Sequence, residues 1–144
     1  MARGYPDYFG QSMWPKYGTP FYQTGSSDVG AGDLDWICRT TIQGVLVFAS
    51  CTISGIDASA DFTIYLDVDD ETVSMIEYGN AIANGILIPT TELWVCVQYD
   101  KLAGLYSLIL RREVSCRTSF DITLDNFGPT DLHIEGATTH YVVT

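Results

Sequence analysis

The chain has 144 residues, of which 47% are hydrophobic and 17% charged, so it fits one domain with its own core and excludes long disordered blocks. Eighteen acidic residues outnumber seven Lys and Arg, and the net charge of −11 has the wrong sign for binding nucleic acid. No apolar run approaches the roughly 20 residues that span a bilayer, and no secretory signal is visible. We therefore expect no membrane partner and synthesis in the cytoplasm.

Residues 1–25 are rich in aromatic rings and prolines and show no hydrophobic period. The prolines exclude a helix, because each lacks a backbone donor and clashes with the preceding turn. Disordered segments are poor in aromatic residues, so a plain flexible tail does not fit either. We predict an extended arm whose partner-binding residues are Tyr5, Pro6, Tyr8, Phe9, Trp14, Pro15, Tyr17, Phe21 and Tyr22.

The arm repeats the pattern aromatic, proline, charge, aromatic, glycine, once in residues 5–10 and once in residues 14–18. Small polar residues follow it, and residues 26–35 are predicted to be a flexible hinge. The arm could cover its own domain or dock on a neighbouring subunit. A hinge favours the neighbouring subunit, so we expect a homo-oligomer.

From Trp36 to Thr144, strand-like runs alternate with turn signals. The clearest alternation is Phe62 to Val68, and no run has the period of an amphipathic helix. Residues 36–144 are therefore predicted to form an all-β domain, a single β-sandwich of about eight to nine strands, for which a jelly roll is one arrangement. The runs lie at 36–42, 45–53, 62–68, 73–78, 86–88, 93–99, 105–114, 120–124, 132–134 and 141–143.

Four cysteines are present, and no two of them form a C-x-x-C pair. Each lies in or beside a strand-like run, where a free cysteine behaves as a small apolar side chain. We predict that they are buried core residues, with a disulfide or a reactive thiol as the alternative. They are Cys38, Cys51, Cys96 and Cys116.

Residue types that carry catalysis are sparse. The only histidines, His133 and His140, have no serine elbow near them and are interpreted as surface side chains. The acidic run 67–71 is interpreted as a solvated turn, with a calcium-binding loop as the alternative. Carboxylate pairs for glycoside hydrolysis stay open, because their separation is a spatial quantity. We predict no enzymatic activity, no cofactor and no metal site.

The opening RGYPDYFGQS, residues 3–12, and WPKYG, residues 14–18, resemble the start of small uncharacterised structural proteins encoded by tailed bacteriophages. The β body is similar in kind to head-decoration and minor virion proteins. The resemblance covers about the first 20 residues and implies a virion location, other virion proteins as partners and assembly through terminal arms.

Two functions from different classes follow from these features. The first is a non-enzymatic virion structural protein that assembles or decorates a particle through its arm and its β-sandwich. The alternative is a carbohydrate-binding β-sandwich module, with Trp36, Tyr65 or Trp94 as an exposed stacking platform.

Overall fold

In the computed structural model, which describes residues 19–79, 93–110 and 112–144, ten β-strands form two antiparallel sheets. One sheet has six strands in the order β1-β10-β3-β7-β6, with β8 also paired to β3. The other has four strands in the order β2-β9-β4-β5. The strands are β1 (Thr19–Val29), β2 (Leu34–Thr40), β3 (Gly44–Ser54), β4 (Phe62–Val68), β5 (Glu71–Glu77), β6 (Trp94–Asp100), β7 (Leu105–Leu110), β8 (Val114–Cys116), β9 (Phe120–Asn126) and β10 (Leu132–Val143).

The strand order is that of a jelly roll. The chain crosses between the sheets so that β1-β10-β3-β7 face β2-β9-β4-β5, which is the eight-strand, double-sheet arrangement. The β6–β7 hairpin extends the larger sheet by one strand. The predicted all-β sandwich is therefore confirmed, and the strand order, which the sequence left open, is that of a jelly roll.

The core lies between the two sheets and follows the period of two along each strand. Phe62, Ile64 and Leu66 of β4 are fully buried. Tyr65 and Asp67, which alternate with them and point outward, are partly exposed. Tyr106 of the six-stranded sheet meets the Phe62 ring edge-on, and Leu46 of the same sheet belongs to the same buried cluster. These inward side chains come from nearly every strand, so one core holds both sheets together.

The structure corrects the predicted arm and hinge over residues 19–29. This segment is strand β1, which pairs with β10 from Thr19 opposite Val143 to Val29 opposite Leu132. Its small polar residues are accommodated by a bulge between Gly25 and Ser27. The composition of this segment gives the wrong prediction because β10 makes the backbone hydrogen bonds of β1, whatever the strand propensity of the β1 side chains. Residues 1–18 of the predicted arm lie outside the described residues.

Three further predictions differ in their strand boundaries. The run predicted at 105–114 is divided between β7 and β8. The runs predicted at 132–134 and 141–143 are the two ends of one continuous strand, β10. This apolar C-terminal strand pairs with β1 on one side and β3 on the other, so it has no free edge. The run predicted at 86–88 falls outside the described residues.

Candidate binding surfaces

Two of the nine predicted partner-binding residues, Phe21 and Tyr22, have described side chains, and both lie on the six-stranded sheet. The Phe21 ring stacks on Tyr141 with centroids 5.8 Å apart, and the Tyr22 ring stacks on His140 at 5.9 Å. Phe21 remains 48% exposed and Tyr22 70% exposed, so each ring keeps free surface. Their partner-binding role stays a prediction. Outside the described side chains lie Tyr5, Pro6, Tyr8, Phe9, Trp14, Pro15 and Tyr17.

The outer surface of the six-stranded sheet, which we call the hydroxyl face, carries a row of rings and several rows of Ser and Thr. Tyr22, His140 and Phe48 are directly opposite one another on β1, β10 and β3, and the Phe48 ring meets His140 edge-on at 5.8 Å. Hydroxyl side chains also pair across strands, as Thr52 and Ser107 do at 2.9 Å. Most of this face is uncharged; its Ser and Thr residues are Thr24, Ser50, Thr52, Ser107 and Thr138.

One end of the hydroxyl face carries a small charged group. Nδ1 of His133 is hydrogen-bonded to the Asp28 carboxylate, and its Nε2 lies 3.7 Å from a carboxylate oxygen of Glu135. The Ser54 hydroxyl donates to Glu135 at 2.5 Å and not to the histidine. These contacts link β1, β10 and β3 at this end of the sheet. Ser54 is hydrogen-bonded to a carboxylate and not to the imidazole, which is the partner that a Ser-His-Asp triad would require.

The outer surface of the four-stranded sheet, which we call the acidic face, has an aromatic and apolar row across all four strands. Trp36 of β2, Thr123 of β9, Tyr65 of β4 and Met75 of β5 stand directly opposite one another. Trp36 and Met75 are each 45% exposed. Neighbouring strands are about 4.8 Å apart, so the row spans roughly 14 Å.

Carboxylates flank this row on both sides. Asp125 and Glu77 lie in the cross-strand row on one side, and Asp121 and Asp67 lie in the row on the other. The single cation in these rows is Arg39, whose Nε is 3.9 Å from Asp121 and whose guanidinium sits 4.5 Å from the centre of the Trp36 ring. Four carboxylates against one guanidinium give this surface a net negative charge.

Two carboxyls of the acidic face, those of Asp121 and Asp125, have raised pKa values. Burial raises the pKa of Asp121, and repulsion from Asp67 and Asp70 raises it further, against the opposing attraction of Arg39. Burial alone raises the pKa of Asp125. The field of this face therefore favours a positively charged contact.

The structure also corrects the proposed stacking role of Trp94. Trp94 is 1% exposed because it points inward from β6, as does Cys96 two residues later. Both faces of β6 are apolar in sequence, so alternation alone does not tell which face is inside. Trp36 and Tyr65, in contrast, point outward and share the acidic face.

The acidic turn between β4 and β5 is hydrogen-bonded to the segment that precedes β9. Asp69 and Asp70 have left-handed backbone angles, with φ of 52° and 65°, as a tight hairpin turn requires. The Asp69 carboxylate accepts backbone N–H groups from Arg117, Thr118 and Ser119 at 2.8 to 3.2 Å, and these bonds lower its pKa. Its oxygens are thus turned to protein donors, and no group of three acidic, His or Cys residues that could hold a metal ion occurs in the described ranges.

All four cysteines are buried and free, which confirms the predicted core positions. Burial raises the pKa of each thiol, most clearly for Cys51, where it reaches about 12. A thiol with a raised pKa stays protonated at neutral pH, and the thiolate is the reactive form. These side chains therefore act as apolar packing groups.

No family model and no curated protein matches the chain, so the resemblance to tailed-phage proteins remains a prediction. The chain is similar to a solved structure, the VP2 subviral particle of infectious bursal disease virus, with a TM-score of 0.42 and 12% sequence identity. That alignment covers 88% of this chain and 34% of the VP2 chain, so this chain spans about a third of the length of that protein. Among the residues described, no helix is long and apolar enough to cross a membrane.

Proposed function

We propose that this chain is a non-enzymatic structural protein of a virion, which joins copies of itself and other virion proteins through its N-terminal segment and its β-sandwich. The observation that carries the proposal is the attachment of that segment. Strand β1 is hydrogen-bonded along its length to β10, from Thr19 to Val29, at the edge of the six-stranded sheet. The ring-rich residues 1–18 are therefore joined to a fixed strand and not to a flexible linker.

A fixed attachment point suits assembly, because less conformational entropy is lost when the segment docks. Rings and prolines add large contact area through few rotatable bonds. Strand β1 also lies at a sheet edge, where a further strand can pair with its backbone. Jelly rolls build viral capsids as well as lectins, so the fold agrees with the proposal by analogy only.

Removing residues 1–18 tests the proposal, since the truncation ends before β1. We expect the full chain to form an oligomer and the truncated chain to lose it, as measured by light scattering. A full-length Trp14→Ser, Tyr17→Ser variant gives the same test without shortening the chain. Circular dichroism and thermal unfolding check that each variant is folded, and an unchanged oligomer mass in both would contradict the proposal.

A carbohydrate-binding module is the second candidate, and the cross-strand row on the acidic face favours it. Trp36 and Tyr65 point outward from strands two places apart, which separates them by roughly 10 Å on a flat surface. A glycan array tests this function. Binding that is lost in Trp36→Ala and kept in Phe48→Ala, on the opposite face, would support it, whereas an array without binders would remove it.

A further inference from the structure

We propose that the acidic face receives the N-terminal segment, residues 1–18, of a second copy of this chain. The inference rests on the proposed function and specifies which surface the segment occupies. Three features of the described residues carry it: the apolar row, the charge around the row, and the contrast with the opposite face.

The apolar row provides the contact area. Trp36 and Met75 stand at the two ends of the row on edge strands, and nearly half of each side chain is exposed. Val73 and Leu34, 48% and 49% exposed, lie on the same two edge strands. A segment in which Tyr5, Tyr8, Phe9, Trp14 and Tyr17 recur supplies rings that pack on such a row.

Charge complementarity identifies the occupant as a segment of this chain. Within residues 1–18, Arg3 and Lys16 against Asp7 give +1, so residues 19–144 carry −12 and the whole chain carries −11. Two copies of the chain repel each other because residues 19–144 of each carry this negative charge. A cationic segment laid between the carboxylate rows of the acidic face reduces that repulsion where the two copies meet.

The existing contact of Arg39 shows how a cation fits this surface. Its guanidinium lies on the Trp36 ring and beside the Asp121 carboxylate at the same time. A cation over an aromatic face and next to an anion gains from both interactions. Asp125, on the other side of the row, has Leu34 and Thr63 opposite it on the neighbouring strands, and it is the carboxylate that we assign to Arg3 or Lys16 of the incoming segment.

The hydroxyl face also exposes rings, Tyr22 by 70% and Phe48 by 37%, but over the described residues it lacks the flanking rows of carboxylates. Its exposed rings, Tyr22 and Phe48, already pack on His140, and its central rows are uncharged. It therefore serves as the matched control surface on the same molecule.

Charge favours a second copy over the same chain. A cationic segment lowers the repulsion between two copies only where it lies between them, and a segment that stays on its own body does not. Strand β1 lies at an edge of the six-stranded sheet, with Thr19 paired to Val143 at the end of that sheet.

Cross-linking in the full-length chain tests the inference. Trp14 is replaced by p-benzoylphenylalanine, and chains with natural and ¹⁵N isotopes are mixed before irradiation, so that mass spectrometry separates links within a copy from links between copies. We expect links between copies to peptides that contain Trp36, Tyr65 or Met75. Links between copies that fall elsewhere would overturn the inference and leave the proposed function standing; links within one copy alone would overturn both.

A full-length double variant, Trp36→Ser with Met75→Ser, provides the second readout. We expect it to weaken self-association by about tenfold or more, because central aromatic contacts dominate interface energies. The control Phe48→Ser on the hydroxyl face should associate as the original chain does. Unchanged association of the double variant overturns the inference, as does binding of a neutral oligosaccharide to the row with self-association unaffected.

Discussion

The two outer faces of the sandwich differ although their strands alternate in the same way. The hydroxyl face is mostly neutral, with hydroxyls bonded across strands and rings stacked on one another. The acidic face combines an exposed apolar row with four carboxylates, of which Asp121 and Asp125 have raised pKa values. On the hydroxyl face, hydroxyls and rings contact one another. The acidic face, in contrast, keeps like charges next to exposed apolar side chains. Such a combination costs stability and is typical of a surface that binds.

The two sheets keep a fixed position relative to each other partly through Asn126, which links them. Its buried amide donates to the carbonyls of Val29, Gly30 and Thr130 at 2.9 to 3.2 Å and accepts the N–H of Gly128 at 3.1 Å. Asn126→Ala leaves these groups without partners and should lower the free energy of unfolding by about 2–3 kcal/mol. Chemical denaturation measures the change.

The neighbouring substitution Asp125→Asn is the control for Asn126→Ala. Asp125 points to the outer surface, and its pKa is raised by burial, so loss of its charge should not destabilise the fold. A loss below about 1 kcal/mol for Asn126→Ala would mean that water replaces the amide.

On the hydroxyl face, the stability lost on mutation should not depend on the salt concentration. Thr52→Val keeps the shape of the side chain but removes the hydrogen bond to Ser107, whose hydroxyl is then left in a largely buried position. We expect a loss of about 1 kcal/mol, equal at low and high ionic strength, because both groups are neutral. Urea denaturation at two salt concentrations measures it, and a clear salt dependence would argue against a neutral face.

On the acidic face, the stability lost on mutation should depend on the salt concentration. Arg39→Met keeps an apolar side chain near Trp36 but removes the only cation of the carboxylate rows. A destabilisation of about 0.5 kcal/mol is expected at low salt and should fade as salt screens the carboxylates. Lys101→Met, in the loop between β6 and β7, is the matched control and should have no such dependence.

The smallest expected effect concerns pH. Because the pKa of Asp121 is raised on folding, the folded protein holds this proton more tightly than the unfolded chain does. Stability therefore falls as pH rises from the unfolded value of about 4 through the raised value, and the loss is complete above it. Asp121→Asn should remove this part of the pH dependence and raise the Tm at pH 7 by about 1 °C. An unchanged pH profile would mean that folding does not raise the pKa of Asp121.

Sequence patterns were sufficient wherever one face of a strand was apolar and the other polar. The predicted strand Phe62 to Val68 coincides with β4, and the apolar residues of its alternation, Phe62, Ile64, Leu66 and Val68, are buried. Alternation failed at β6, where both faces are apolar and Trp94 lies on the inner one. Register decides this, and register is set by neighbours far away in the chain.

The candidate surface was only partly accessible from the sequence. Trp36 and Tyr65 stood out as aromatic residues, but Met75 did not, and nothing local shows that Thr123 joins them into one row. The hinge prediction failed for a related reason. Gly25 and its serine neighbours have the composition of a linker, but the bulge and the pairing with β10 come from the other end of the chain. Long-range pairing is therefore what sequence patterns missed in both places.

The pairing of β1 with β10 also has a consequence for the order of folding. Gln23 and Tyr141, which are hydrogen-bonded across this seam, are 118 positions apart in sequence. Strand β1 leaves the ribosome before its partner β10 has been synthesised, and contacts of such separation form slowly. During that interval β1 is free to pair with the β10 of another copy, so exchange of this strand between nascent chains would link two copies before either has finished folding.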